Sequence, residues 1–127
     1  MSELLCLELA ILLWFAHVLI QALSAKGEFG DAYLFSPRDT FMPVKGLTYG
    51  RASRALENFT ENFVPFAAVD LALIATSHTG GIGATIWIIC RIAYLPCYLF
   101  GINYVRTALW VGSLVGLGLM LWRLAGL

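Results

Sequence analysis

RASRALENFTENFVPF, residues Arg51 to Phe66, decides how the chain must be read. Within it Arg51, Arg54, Asn58, Glu61 and Pro65 recur at spacings of three and four. A helix turns roughly 100° per residue, so these positions share one face, within an arc of roughly 100°. The sequence around them, from Phe59 and Phe63 through Phe66–Val69 to Leu71–Ala75, is what lipid requires. Ionisable side chains in such a setting are costly and face a protein interior or a water-filled cavity. Two guanidiniums, an amide and a carboxylate on one face therefore predict a seat for a small zwitterionic or anionic ligand. The competing reading is a self-satisfied network in which Arg54 pairs with Glu61 and Asn58 bonds to backbone.

The rest of the chain places that helix in a membrane. Of 127 residues, 60% are hydrophobic and 13% charged, with a mean hydropathy of +0.80. A soluble domain carries about a quarter charged residues. The length suits a single domain over residues 1–127. The formal net charge is zero, so the chain has no basic footprint for a nucleic-acid partner. Cys6, Cys90 and Cys97 sit in apolar stretches without a C-x-x-C spacing, which predicts packing rather than a disulfide framework. His17 and His78 are in no ligand pattern, so no metal is expected.

Four membrane spans are predicted. Leu4–Leu23 is long enough to cross a bilayer, and without a basic leader it reads as an uncleaved first span. Lys26–Gly50 is punctuated by Gly27, Gly30, Pro37, Pro43, Gly46 and Gly50 and reads as a loop. The second span covers about residues 51–77, with Pro65 tolerated by neighbouring helices. The third covers about 82–100, ended by Gly101, and the fourth about 104–124, capped by Asn103. Lys26, Arg38, Lys45, Arg51, Arg54 and Arg106 cluster at the first and third connections, against Arg123 and His78 elsewhere. The positive-inside rule then makes these two loops cytoplasmic and puts both termini outside.

Span three carries a second stripe, Arg91, Tyr94 and Tyr98. An unpaired charge near mid-span costs about 2.5–3.5 kcal/mol on insertion scales, so Arg91 should find Glu61 or Asp70. Asp70 lies on the opposite side of its helix from Glu61 and is expected to hydrogen-bond His17 or Gln21, with a proton-relay role as the alternative. Gly112 and Gly116 form a G-x-x-x-G, the spacing of close helix packing. Arg106 opens span four on the cytoplasmic side. It is either a snorkelling topology determinant or a cation placed to stabilise a ligand thiolate.

Three separated segments resemble one family. Arg54-Ala55, Asn58 and Glu61 fit the Arg-Ala-x-x-Asn-x-x-Glu core of the second helix of the MAPEG family, the membrane-associated proteins of eicosanoid and glutathione metabolism. Ser36–Asp39 (SPRD) and Arg91–Trp110 (RIAYLPCYLFGINYVRTALW) keep the same order, and the chain looks most like the small bacterial branch. The resemblance implies an all-α integral membrane protein, a four-transmembrane-helix bundle assembled as a homotrimer in a bacterial inner membrane. It implies glutathione as co-substrate, bound between subunits near the cytoplasmic face, and a lipophilic second substrate from the bilayer. Matched by position, Arg54, Asn58 and Glu61 would hold the peptide and Tyr94 and Tyr98 would line the site. Arg106 would stabilise the thiolate, with Thr107 beside it; Arg51 and Arg91 complete the expected glutathione set. Asn62 stands where some relatives carry tyrosine, Trp110 where others do, and the Tyr98-to-Arg106 distance differs by a residue from some eukaryotic members. These departures bear on substrate and catalysis rather than on fold. The expected function is a glutathione-dependent transferase or peroxidase; the alternatives are a non-catalytic trimeric relative and a four-span transporter built on Glu61 and Asp70.

Overall fold

A computed structural model describes residues 1–126. The described residues are helical, in the order α1 (Glu3–Phe29), α2 (Asp31–Leu34), α3 (Leu47–Ala75), α4 (Gly83–Leu99) and α5 (Asn103–Leu124), with no strand among them. α3 lies centrally: it packs against α1, α4 and α5, while α1 and α5 do not touch. The most extensive pairings are α4 with α5 and α1 with α3. Their shared core is built from Cys6 and Ala10 of α1, Phe59, Phe66 and Leu73 of α3, Ala84, Trp87 and Ile88 of α4, and Met120 of α5. Phe66 and Trp87 stack face to face with ring centroids 3.8 Å apart. Cys6, Cys90 and Cys97 are all free thiols.

α1 and α5 are long and apolar enough to cross a membrane, with mean hydropathies of 2.1 and 1.5 in their most apolar windows. Only 22% and 17% of those windows are buried. Leu12, Leu19 and Leu23 of α1 and Val115, Leu121 and Trp122 of α5 are among their exposed side chains. A monomer in water does not leave apolar area on that scale uncovered, so lipid or other protein must cover it. α4 is apolar but has 17 residues. α3 carries its polar stripe and fails the same measure of apolarity despite its 29 residues.

Helix ends differ from the sequence-based boundaries for local reasons. α1 continues through Lys26 to Phe29, and Asp31–Leu34 forms a further short helix, so the first connection is shorter than the predicted Lys26–Gly50 loop. α3 begins at Leu47 rather than Arg51, after Gly46 as N-cap, with no side-chain cap of its own. The carboxylate of Glu28, at the end of α1, instead accepts the backbone N–H groups of Lys45 and Gly46. Those two N–H donors hold the Glu28 carboxyl below the usual glutamate range. Asn103 does not cap α5: Ile102 is the N-cap, and Asn103 is the first helical residue. Gly101 does end α4. Its φ of +72° lets Ile102 N–H reach the Cys97 carbonyl at 2.9 Å and Gly101 N–H the Tyr98 carbonyl at 3.1 Å, a Schellman closure. The end of α3 closes in the same way around Ser77, with φ of +56°.

α4 and α5 approach at glycine. A Cβ built on Gly116 would stand 2.6 Å from the Gly83 carbonyl oxygen and 2.8 Å from the Trp87 backbone nitrogen. Gly112 sits against Cys90 Sγ in the same way. The G-x-x-x-G of α5 is therefore used inside the chain, and at Gly116 the neighbours are backbone atoms with nowhere to yield.

Two predictions follow from these contacts. Gly116→Ala should destabilise the protein by about 1–3 kcal/mol, the cost of overpacking a close contact, whereas Gly118→Ala, with open space around it, should not. Thermal unfolding in mild detergent compares them; equal midpoints would contradict the close approach. For Glu28, a lowered carboxyl means the tether is complete above the unfolded glutamate range and is released as pH falls through the folded value. The Gly46 amide resonance should then titrate with a midpoint below that of an ordinary glutamate, and should not titrate there in Glu28→Gln.

Candidate functional site

The amphipathic stripe of α3 and the first turns of α5 come together with the last turns of α4 at one end of the structure. Between them lies a pocket of about 350 Å³, the lower end of the range for small-molecule sites. α3 supplies Arg54, Glu57, Asn58 and Glu61, α4 supplies Tyr94 and Tyr98, and α5 supplies Arg106, Thr107 and Trp110. The i, i+3, i+4 spacing aligns each set along its own helix, and the turn at Gly101 brings the α4 and α5 sets together.

Arg106 is held over an aromatic face. Its guanidinium carbon lies 4.7 Å from the Tyr98 ring centroid, within the cation–π range. Tyr98 in turn meets Tyr94, centroid to centroid 5.6 Å at 52°. Thr107 Oγ1 donates to the Asn103 carbonyl at 3.4 Å. Asn62 Nδ2 donates to the Asn58 carbonyl at 2.9 Å, and the Asn58 side-chain oxygen has no protein donor. No ion pair joins Arg54, Arg106, Glu57 or Glu61; the pair formed among the described residues is Lys26–Asp31, at 3.7 Å. The self-satisfied Arg54–Glu61 network is thus absent, and the pocket presents two cations, two carboxylates, an amide, hydroxyls and an indole N–H to whatever enters.

Arg51 and Arg91 are not among the residues that line it. Arg51 Nη1 donates to the Leu99 carbonyl at 3.2 Å and packs so tightly on Gly101 that a Cβ there would stand 2.8 Å from Arg51 Nη2. It thereby satisfies a carbonyl at the α4 C-terminus that has no partner within the helix. Arg91 is completely buried behind Tyr94. The expected ion pair with Glu61 or Asp70 does not form. Glu61 is exposed and faces the pocket, whereas the Arg91 guanidinium lies 4.4 Å from the Tyr94 ring centroid and 5.5 Å from that of Phe59. Two π faces take the place of the carboxylate. The expected Asp70–His17 contact is also absent. His17 Nδ1 pairs with the Leu13 carbonyl at 2.9 Å, its ring stacks on Phe59, and neither Asp70 oxygen has a hydrogen-bond partner. With α1 and α3 antiparallel, His17 is level with Phe59, and Asp70 lies three turns farther along.

Glu57 and Trp110 belong to the pocket and were not picked out as site residues by sequence. Their signal was spacing: Glu57 is three residues after Arg54 and four before Glu61, and Trp110 is four after Arg106. No cluster of potential metal ligands occurs among the described residues.

The sequence matches the MAPEG family over residues 4–126, and the chain belongs to that family. No curated protein and no solved structure matches it.

Proposed function

Taking membership of the MAPEG family as premise, we propose that the protein is a membrane-embedded, glutathione-dependent transferase or peroxidase. One observation carries the reading: Arg106 shares a pocket with Arg54, Asn58, Glu61, Tyr94 and Tyr98 and has no acidic partner there. The pocket's two cations and two carboxylates suit a zwitterionic peptide with two carboxylates and an ammonium. Arg54 binds a ligand carboxylate with its forked donors. Glu61 accepts from the ammonium, and Asn58 offers its free oxygen to a ligand N–H. Arg51 and Arg91 support this set from behind, one at the α4 C-terminus and the other beneath Tyr94.

Arg106 is the residue assigned to chemistry. A fixed guanidinium beside a thiol favours the thiolate, the nucleophilic form. The sulfur then attacks an electrophilic carbon of a lipophilic substrate; a C–S bond forms and the leaving group departs with its bonding pair. With a hydroperoxide, sulfur attacks the terminal oxygen, the O–O bond breaks, and the departing alkoxide takes a proton from water to leave as the alcohol. A second glutathione then displaces water from the sulfenic acid to give the disulfide. Tyr98, whose ring carries the guanidinium, lines the same pocket, and its hydroxyl can donate to the thiolate.

The proposed setting is a single domain of four transmembrane helices, α1, α3, α4 and α5, in a bacterial inner membrane. Both termini face outward, and the pocket end faces the cytoplasm with the basic first and third connections. A homotrimer would shield the exposed side chains of Arg54, Glu57 and Glu61 from lipid and close the pocket with a neighbouring subunit. Mass measurement in mild detergent should give three times the 14.0 kDa chain; a folded monomer would overturn this arrangement.

The test of function uses glutathione itself. It should raise the melting temperature of the purified protein, as a ligand that prefers the native state must. Arg54→Ala should weaken binding by roughly 1.5–3 kcal/mol, the worth of a hydrogen bond to a charged group. Arg106→Ala should instead reduce the ultraviolet thiolate absorbance of bound glutathione at neutral pH and cut turnover, with a smaller loss of affinity. Arg106→Lys should restore part of both. If all three proteins titrate alike, Arg106 is a topology determinant and the non-catalytic reading replaces this one.

A further inference from the structure

Five side chains from three helices form a continuous file of rings and cations. Phe59 of α3 lies 5.5 Å from the Arg91 guanidinium, Arg91 lies 4.4 Å from Tyr94, Tyr94 meets Tyr98 at 5.6 Å, and Tyr98 carries Arg106 at 4.7 Å. The two cations of this file differ sharply. Arg106 faces the pocket, whereas Arg91 is fully buried and is not among the residues that line it. None of the three Arg91 nitrogens has a hydrogen-bond partner. A guanidinium placed there to neutralise an acid would lie beside one, and no carboxylate lies within ion-pair distance of it. Among the described residues its guanidinium engages the ring faces of Phe59 and Tyr94.

That engagement is directional. A cation over a ring restrains both, because moving either off the centroid loses the electrostatic attraction, which is strong where water is excluded. Arg91 therefore fixes the plane of Tyr94. Tyr94 is itself almost wholly buried and sets the tilt of Tyr98, one turn on. Tyr98 is the surface on which the Arg106 guanidinium rests. A long arginine side chain has several rotatable bonds, and among the described residues no hydrogen bond or ion pair holds this one. Its ring contact is what decides where its charge sits.

We propose that Arg91 is a positioning residue: through Tyr94 and Tyr98 it holds the Arg106 guanidinium at its place over the pocket, without touching what the pocket binds. This rests on the proposed function for its catalytic consequence but not for its structural content, and the two are tested separately. The first arm needs no ligand. The full-length protein in detergent, with 15N-labelled arginine, gives an Arg106 Nε–Hε resonance, assigned by its disappearance in Arg106→Lys. Stacked on Tyr98, that proton is shifted upfield by the ring current. Arg91→Met fills similar volume without a charge and removes a buried cation, a replacement that folded proteins tolerate. In it the Arg106 resonance should lose most of its upfield shift and sharpen as the side chain becomes mobile; Arg91→Lys, which keeps a cation over Tyr94, should retain the shift in part. Tyr94→Leu breaks the file one link on and should have the effect of Arg91→Met, which keeps the test decisive if Arg91→Met does not fold. An Arg106 resonance unchanged in the folded variants overturns the proposal.

The second arm adds glutathione. Arg91→Met should lower the thiolate fraction of bound glutathione at neutral pH by about two- to fivefold, the scale of one cation–π contact. Binding of S-methylglutathione, which has no thiol to ionise, should be unchanged. Equal loss of binding for both ligands would make Arg91 an ordinary structural residue and overturn the proposal. If the wild-type protein binds no glutathione, the proposed function fails while the first arm still decides the placement of Arg106.

Discussion

A guanidinium enclosed without a carboxylate is the constraint around which the interior is arranged. Arg91 sits mid-helix in α4, in a stretch that is otherwise apolar, and a bare charge in such surroundings carries a large desolvation cost. The chain meets that cost with aromatic faces rather than with an acid. Phe59 comes from α3 and Tyr94 from the next turn of α4 itself, so the cation binds the two helices together as it is stabilised. His17 of α1 stacks on Phe59 with centroids 4.6 Å apart, and Phe66 stacks on Trp87 on the other side. Three helices thus meet through flat side chains around one charge. An acid in place of these rings would neutralise Arg91 but would leave His17 of α1 without the ring it stacks on.

Much of the site was legible because it obeys helix periodicity. Arg54, Asn58 and Glu61 share a face by spacing alone, as do Tyr94 and Tyr98, and Arg106 with Thr107 follows a turn announced by Gly101. All seven line one pocket. The failures have a common cause. Periodicity says which residues share a face but not how far along two helices they come level. Asp70 and His17 were paired on chemical grounds, yet antiparallel register places His17 beside Phe59. Arg91 was given a carboxylate because charges usually take one; the presence of two ring faces at its depth depends on how α3 meets α4. The glycines and prolines up to Gly50 predict a loop and a helix start at about Arg51; the helix begins at Leu47, and its cap comes from Glu28 on another helix. Each of these is a tertiary contact between residues far apart in sequence. Glu57 is a different case, for its spacing was visible and its membership of the site was overlooked.

The division of labour among cations follows from burial. Arg51 satisfies a helix terminus, Arg91 stiffens an interior, and Arg54 and Arg106 face the pocket. All four are arginines, and the sequence reading puts Arg51, Arg54 and Arg91 in the glutathione set and Arg106 on the thiol. Their surroundings separate them: a carbonyl beside Arg51, rings on Arg91, and no acid beside the other two.

The glycine contact between α4 and α5 has a mechanical consequence. With the Gly83 carbonyl and the Trp87 nitrogen against Gly116, these helices touch backbone to backbone at that point, with no compliant side chain between them there. Tyr94, Tyr98, Arg106 and Thr107 therefore ride on a single stiff body. Arg54, Glu57, Asn58 and Glu61 ride on α3, whose principal partner is α1. The pocket is a seam between two pairs of helices rather than a hollow within one. A parting of the two pairs along that seam would carry Arg54, Glu57, Asn58 and Glu61 away from Arg106 and its tyrosines while leaving the contact of Arg106 on Tyr98 intact.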